Sequence, residues 1–309
     1  GHLERFLVEC PDPDMALNNL CRFMAATRNR LSLAAFFDRD PVALRDAIQI
    51  FSNSQYLSDL LVADPESLDL LRLTQGEPLA RETLVEELVA EVDQLERDQA
   101  VMGALRRFKY RETLRIAFAD IVRGYGVRTI ARQISLVADA VLEAALHAAW
   151  KRIVPRRGTP RRADGQPARM AVLGMGKLGG VELNYSSDID LVFLYDEDGM
   201  TDAARPITNQ EFFNHLAREF VRLLTESTDL GGAYRVDLRL RPDGQRGSMV
   251  NSMAAALSYY DVRGRTWERQ AYIKARPVAG DLELGSDFLD RLRPWIYRRY
   301  LTRADISGI

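Results

Sequence analysis

The chain has 309 residues, of which 47% are hydrophobic and 28% are charged, and its formal net charge is −2. This length and apolar fraction allow a sizeable core and predict two domains. The balanced charge gives no general attraction to nucleic acid or to a membrane surface. The sequence contains neither an apolar run of about 18 residues nor a signal peptide, and its two cysteines, Cys10 and Cys21, are interpreted as buried thiols rather than a disulfide. We therefore expect a soluble, cytoplasmic protein.

Residues 1–150 are predicted to be helical throughout. Apolar residues recur with a helical period at Ile130, Ile134, Val137 and Val141, among other places. A basic cluster, Arg106 to Arg111, is interpreted as a solvated or ion-paired helix face, with an approach to a phosphate as the less favoured alternative. Residues 151–168 are rich in Lys, Arg, Pro and Gly and lack apolar periodicity, which predicts a basic linker or loop.

Residues 169–309 are predicted to form a second domain that contains a small sheet. Apolar runs indicate strands at 168–175 and 188–195, and an alternating run indicates another at 233–241. Helical periodicity predicts helices near 209–226 and 251–263.

The stretch 174–195, GMGKLGGVELNYSSDIDLVFLY, contains the strongest functional signal. Asp188 and Asp190 flank Ile189 at the start of an apolar run, and alternation along a strand places both carboxylates on one face. The preceding strand ends in a loop that contains Gly176, Lys177, Gly179 and Gly180. Glycines at such a position allow the backbone to approach a phosphate.

A third acid, Asp237, lies in the later alternating run that closes at Pro242. Carboxylate oxygens bind divalent metals that also contact substrate phosphates, so the three acids predict a metal site for phosphoryl or nucleotidyl transfer. The alternative is that the paired acids are solvated residues at a strand end. The metal site is favoured because aspartate is depleted in strand interiors and the strand, glycine loop and acid pair follow in order.

This order of features resembles the nucleotidyltransferase superfamily of DNA polymerase β type. Three longer motifs, Gly176–Leu191, Tyr234–Pro242 and Trp267–Arg276, are similar to the bacterial bifunctional glutamine synthetase adenylyltransferase/adenylyl-removing enzymes. Weaker similarity at Ser54–Leu61 and Leu105–Ile116 extends the resemblance over nearly the whole chain. It implies an α+β fold in which a mostly helical N-terminal region packs beside a polymerase β-like nucleotidyltransferase domain with a small mixed sheet.

That family carries two such domains in a longer chain. The amino-terminal domain removes AMP from a tyrosine of glutamine synthetase, and the carboxy-terminal domain adds it. Residues Asn184–Asp190 and the later Arg298–Tyr300 resemble the amino-terminal copy. We therefore expect an adenylyl-removing domain that is part of a longer chain, with residues 169–309 as a truncated catalytic domain.

The resemblance also implies the chemistry. Asp188, Asp190 and Asp237 would bind Mg²⁺, with two ions in the site, and inorganic phosphate would attack the AMP group to give ADP and free tyrosine. The residues expected to bind phosphate or nucleotide are Gly176, Lys177, Gly179, Gly180, Ser187, Arg239, Arg241, Lys274 and Arg276. Four of them are equally candidates for structural ion pairs: Arg239, Arg241, Lys274 and Arg276. The expected partners are adenylylated glutamine synthetase, phosphate, ADP or ATP and, through the full-length enzyme, a nitrogen-regulatory signal protein.

Three rival functions remain at this stage. The first is the opposite reaction, ATP-dependent adenylylation of glutamine synthetase, against which the Asn184–Asp190 signature argues. A nucleic-acid polymerase or tRNA nucleotidyltransferase is disfavoured because the sequence lacks a basic, aromatic groove. A non-catalytic docking module is disfavoured because all three acids are present. Since the acids and the glycine loop lie between Met170 and Pro242, we expect the chemistry to need no residue from 1–150.

Overall fold

The computed structural model describes residues 1–298, and over that range it confirms the predicted α+β class. Seven helices precede the long pair α8 and α9: α1 His2–Glu9, α2 Pro13–Ala26, α3 Arg30–Arg39, α4 Pro41–Asn53, α5 Gln55–Ala63, α6 Ser67–Thr74 and α7 Arg81–Asp93. The long helices are α8 Asp98–Ile121 and α9 Val127–Arg157. The remaining elements are β1 Met170–Gly174, α10 Gly176–Gly179, β2 Ile189–Tyr195, α11 Asn209–Thr225, β3 Val236–Asp237, β4 Val250–Ser252, α12 Met253–Arg263, α13 Thr266–Tyr272, β5 Arg276–Gly280 and α14 Leu282–Ile296. No helix within 1–298 is long and apolar enough to cross a membrane.

Side-chain caps explain where several helices begin. Asp40 accepts a hydrogen bond from the backbone N–H of Ala43 while Pro41 occupies the first position of α4, where proline costs no helical hydrogen bond. Helix α11 begins with a capping box in which Thr208 and Glu211 each bind the other's backbone N–H. These local signals make the helix starts readable from sequence.

The chain forms two compact units that do not coincide with the predicted domains. One unit contains residues 1–79 and 109–134, and the other contains residues 80–108 together with the chain from 135 onward. The first is entirely helical, and its core is built from apolar residues such as Phe23, Phe51 and Phe118. The second contains the sheet, so residues 80–108 and the greater part of α9 belong with the predicted catalytic residues rather than with a separate N-terminal domain.

The sheet has the order β3-β2-β1-β5, with β4 also paired to β2. Strand β1 is antiparallel to β2 and to β5, whereas β3 and β4 run parallel to β2, so the predicted small mixed sheet is present. Alternation along β2 directs side chains to opposite faces. Phe193 contacts Phe220 of α11 at a ring distance of 5.6 Å, whereas Val192 joins the core that contains Tyr260 of α12 and Trp295 of α14.

Four further sequence-based expectations are wrong within residues 1–298. Arg106 of the basic cluster does not lie on a solvated or ion-paired helix face, because it is fully buried and donates to the backbone carbonyls of Leu223, Glu226 and Gly231. The predicted linker is helical as far as Arg157, since α9 continues through Pro155 in its last turn. The helix ends at Gly158, which has φ +75° and donates its N–H to the Val154 carbonyl. The strand predicted at 233–241 has only two residues, since the chain turns after Asp237 and β4 takes the next position along β2. The two cysteines are free but not buried: Cys10, at the C-cap of α1, is half-buried, and Cys21 in α2 is exposed. Of the Arg298–Tyr300 signature, Arg299 and Tyr300 lie outside the described residues.

Candidate active site at the start of the second strand

The three predicted acids lie at one end of the sheet. Asp190 is the second residue of β2 and is paired in register with Asp237 of the parallel strand β3. Asp188 precedes β2 and is exposed, whereas Ile189 between the two acids is fully buried. The buried isoleucine fixes the register of the strand, because a slip of one residue would move it to the other face. Strand pairing therefore brings Asp237 to the acid pair across 47 residues of sequence.

The three carboxylates differ in their electrostatic surroundings. Burial raises the pKa of Asp190, and the negative charges of Asp237 and Asp188 raise it further. The pKa of Asp237 is lowered, chiefly by the hydrogen bond from Arg239, whose Nε lies 2.7 Å from Asp237 Oδ2. Asp188 accepts a hydrogen bond from Arg235 Nε at 2.5 Å. Asp188 and Asp237 are thus each paired with an arginine, and the negative charge of Asp190 is the least offset of the three.

The glycine loop lies directly against Asp190. Strand β1 ends at Gly174, and the next backbone N–H, that of Met175, donates to the Asp190 carbonyl at 2.9 Å. Gly176 then adopts φ +53°, and a Cβ atom at this position would lie 2.9 Å from Asp190 Oδ2. Both the left-handed backbone conformation and the limited space beside Asp190 favour glycine here. The predicted juxtaposition of glycine loop and acid pair is therefore present for Gly176.

The rest of the loop is packed tightly against the segment before β5. A Cβ atom on Gly179 would lie 2.3 Å from the Lys274 carbonyl oxygen, so this position also excludes a side chain. Gly180 is exposed, and the atoms nearest to a Cβ at this position belong to the side chains of Lys274 and Glu182. Val181 follows with φ +56°, which is unusual for a β-branched residue and marks a strained backbone next to the loop.

The predicted phosphate-binding side chains fall into three groups. Lys177 is exposed on the loop, and Ser187 donates its hydroxyl hydrogen to Asn184 Oδ1 just before Asp188. Arg239 lies beside the acids through its bond to Asp237. The other basic residues have structural partners: Arg241 donates to the Leu238 carbonyl, Lys274 pairs with Glu182, and Arg276 pairs with Asp139. For these three, the ion-pair or structural alternative is the one that the contacts favour.

No group of three or more His, Cys, Asp or Glu side chains within residues 1–298 is arranged to hold a metal ion. The predicted metal site therefore stays a prediction. The donor chemistry is nevertheless suitable, because carboxylate oxygens are the ligands that Mg²⁺ prefers. Asp188 and Asp237 are each paired with an arginine. The pKa of Asp190 is raised by burial first and then by the negative charges of its two neighbours, which a bound cation would offset.

Sequence reasoning missed the residues that support the site from helix α9. Ser135 and Asp139 are fully buried, and they bind the Leu183 N–H and the Arg276 guanidinium respectively. The available signal was a polar residue every four positions, at 135, 139, 143 and 147, within the otherwise apolar segment 134–150 of α9. Such a stripe on a buried face indicates hydrogen-bonded partners elsewhere in the chain.

Comparison with known proteins identifies the family of the chain. Residues 44–291 match the family model described as glutamate-ammonia ligase adenylyltransferase. The chain is 41% identical over 281 residues to the bifunctional glutamine synthetase adenylyltransferase/adenylyl-removing enzyme of Thioalkalivibrio sulfidiphilus, covering 88% of this chain and 29% of that protein. It is 42% identical over 272 residues to the enzyme of the same description from Pseudomonas aeruginosa, covering 86% of this chain and 28% of the relative. The chain thus spans less than a third of the length of these relatives.

Proposed function

Because the chain belongs to the glutamate-ammonia ligase adenylyltransferase family, we propose that it catalyses nucleotidyl transfer at the junction of the glycine loop and β2. The observation that carries this proposal is the contact between Gly176 and Asp190, with Asp237 paired beside them. A backbone segment in a conformation that favours glycine, placed against acids on adjacent strands, is suited to hold a phosphate group and its counter-ion.

We further propose that the reaction is removal of AMP from an adenylylated tyrosine of glutamine synthetase. The names of the relatives include both the addition and the removal of the adenylyl group. Support for removal comes from the segment Asn184–Asp190, which resembles the amino-terminal domain of such enzymes. Inorganic phosphate is the proposed nucleophile, so that the new bond joins a phosphate oxygen to the α-phosphorus and the bond from that phosphorus to the tyrosine oxygen breaks. The products are ADP and tyrosine.

The residues of the chain have distinct parts in this proposal. Asp190, with Asp188 and Asp237, would hold Mg²⁺, which supplies positive charge to the phosphate oxygens when it is bound. The backbone of Gly176 and its neighbours would hold phosphate oxygens close to these acids. Arg239, beside Asp237, is placed to contact an anion, since a guanidinium group matches phosphate geometry. A phosphate nucleophile is already anionic, so the site needs no strong general base.

The test is to incubate the chain with adenylylated glutamine synthetase, phosphate and Mg²⁺ and to separate ADP from AMP. We expect ADP whose formation depends on phosphate, and no reaction with the Asp190→Asn variant. AMP formed at an equal rate without phosphate would identify a hydrolase instead. Labelling of unmodified glutamine synthetase from ATP would identify the adenylylating reaction, and binding without any turnover would identify a docking module.

A further inference from the structure

Four polar residues lie on one face of helix α9 at intervals of four: Ser135, Asp139, Glu143 and His147. Residues four apart are neighbours on a helix surface, so these side chains form one line, which we call the α9 polar stripe. Ser135 and Asp139 have no exposed surface. Neither residue can therefore contact a substrate, and their effect on the site must pass through other residues.

The first three members of the α9 polar stripe each bind a different part of the catalytic sheet or its loop. The Leu183 N–H donates to Ser135 Oγ at 3.1 Å, just after the glycine loop. Asp139 accepts two hydrogen bonds from Arg276, with Nη1 2.7 Å from Oδ2 and Nη2 2.8 Å from Oδ1. Glu143 accepts from the Gly280 N–H at 2.9 Å, at the opposite end of β5 from Arg276. Asp139 and the later Glu143 thus bind the start and the end of β5, in the same order as along the helix.

Arg276 links Asp139 to the glycine loop. While both of its Nη atoms bind Asp139, its Nε donates to the Leu178 carbonyl of α10 at 3.3 Å. A guanidinium fork fixed by a buried carboxylate has little freedom, so the Leu178 carbonyl is held at a set position. Leu178 lies two residues beyond Gly176, which is itself in contact with Asp190. A continuous chain of contacts therefore runs from Asp139 to the acid that we place in the site.

We propose that Asp139 is a positioning residue for nucleotidyl transfer, with Ser135 supporting the same loop one helical turn away. Asp139 orients Arg276, Arg276 holds α10, and the glycine loop is thereby kept against Asp190. This inference rests on the proposed function for its catalytic meaning. The physical basis is that a small displacement of groups that hold a reacting phosphate lowers turnover steeply.

The test uses the full chain and three variants. Asp139→Asn keeps the size of the side chain but places an amide N–H₂ group against Arg276, and Ser135→Ala removes the acceptor for Leu183 N–H. Glu143→Gln is the matched control, because it changes a carboxylate of the same stripe that binds β5 at its other end and keeps an acceptor for Gly280. Hydrogen exchange is followed in peptides covering 174–187, with peptides from α11 as an internal reference, and turnover is measured on adenylylated glutamine synthetase.

We expect faster exchange in 174–187 for Asp139→Asn and Ser135→Ala, with unchanged exchange in α11. Turnover should fall roughly 10- to 100-fold in Asp139→Asn, less in Ser135→Ala, and stay near the wild-type value in Glu143→Gln. Exchange that rises equally in all peptides, or a loosened loop with normal turnover, overturns the proposal. If Asp139→Asn does not fold, the exchange of peptides 174–187 and the turnover of Ser135→Ala test whether α9 holds the loop. If the wild-type chain releases no ADP, the proposed function fails, while the exchange data still decide whether Asp139 holds the loop.

Discussion

Replacing Asp190 with asparagine should stabilise the protein while abolishing its activity. Burial and the charges of Asp237 and Asp188 raise the pKa of Asp190 above its ordinary value of 3.8. A carboxyl group whose pKa is higher in the folded state binds its proton more tightly there, so folding stability decreases as the pH rises from the ordinary value through the folded-state value. Above that window the wild-type protein carries the full cost of the charge, and the variant does not.

The size of the gain follows from the pairing of β2 with β3. Asp190 and Asp237 are register partners on adjacent strands, and such strands lie about 4.8 Å apart. Two negative charges about 5 Å apart repel each other by roughly 0.8 kcal/mol in water and by about 3 kcal/mol near a protein surface. Arg239 offsets part of this repulsion, and Asp190 is only half-buried, so solvent screens the remainder. We expect a gain of about 1 kcal/mol, or an increase in Tm of about 2–4 °C.

Urea unfolding of both proteins near neutral pH and at about pH 4 measures this effect. The variant should be more stable near neutral pH, and the difference should shrink as the pH approaches the ordinary aspartate value of 3.8. The same samples should show no phosphate-dependent ADP release. A stability gain combined with lost turnover is the behaviour of a residue retained for function.

Asp237→Asn is the matched control because the sign of its effect is opposite. Arg239 lowers the pKa of Asp237, so the ionised carboxylate contributes stability above its ordinary pKa, and this stability is lost as the pH falls through the folded-state value. Asp237→Asn should therefore be less stable than wild type near neutral pH. The reasoning is refuted if Asp190→Asn is destabilised near neutral pH, or if its stability difference does not change with pH.

Two further substitutions have controls in the chain itself. Gly176→Ala should reduce turnover at least about tenfold, because its Cβ would lie 2.9 Å from Asp190 Oδ2. Gly165→Ala is the control: this glycine has φ +81° and no atom within 4 Å of a Cβ, so the substitution should cost only about 1 kcal/mol of stability. Equal turnover in the two variants would contradict the proposed role of the loop. Arg106→Met should lower the free energy of unfolding by about 2–4 kcal/mol, since this fully buried guanidinium donates to carbonyl groups at the end of α11 and in the following segment. Arg107→Met should stay within about 0.5 kcal/mol of wild type in urea unfolding, because Arg107 is exposed and lies 3.7 Å from its partner Glu91.

The sequence predicted those parts of the fold that depend on local pattern. Continuous apolar runs identified β1 and β2 because both strands are buried on both faces, and the period of α11 is regular over its whole length. The alternating run at 233–241 was a weaker guide. Alternation describes which way side chains point in an extended chain, but it does not show how far a neighbouring strand is available for pairing, and here β4 occupies the later part of β2.

The roles of the basic residues could not be predicted from local sequence. Arg276 and its partner Asp139 are 137 residues apart, and Arg106 lies 120 residues before Glu226, whose carbonyl it binds. The sequence next to Arg276 does not show whether this arginine binds a phosphate or forms an ion pair with a buried carboxylate. Arg239 is different, because its partner Asp237 is only two residues earlier in the chain, at the end of β3.

Parts of helices α8 and α9 belong to the unit that contains the sheet, so the predicted boundary near residue 150 does not separate the catalytic residues from their structural support. The residues that we assign to the proposed chemistry lie between Gly176 and Arg239, but the groups that hold them in position come from earlier in the chain. A chain that began at Arg169 would leave the Leu183 N–H, the Arg276 guanidinium and the Gly280 N–H without the partners that α9 provides. It would also lack Arg106, which binds the carbonyl groups at the end of α11 before the chain enters β3. Buried polar groups without partners are costly, so the sheet, the loop and these two helical segments must fold as one unit for the acids and the glycine loop to meet.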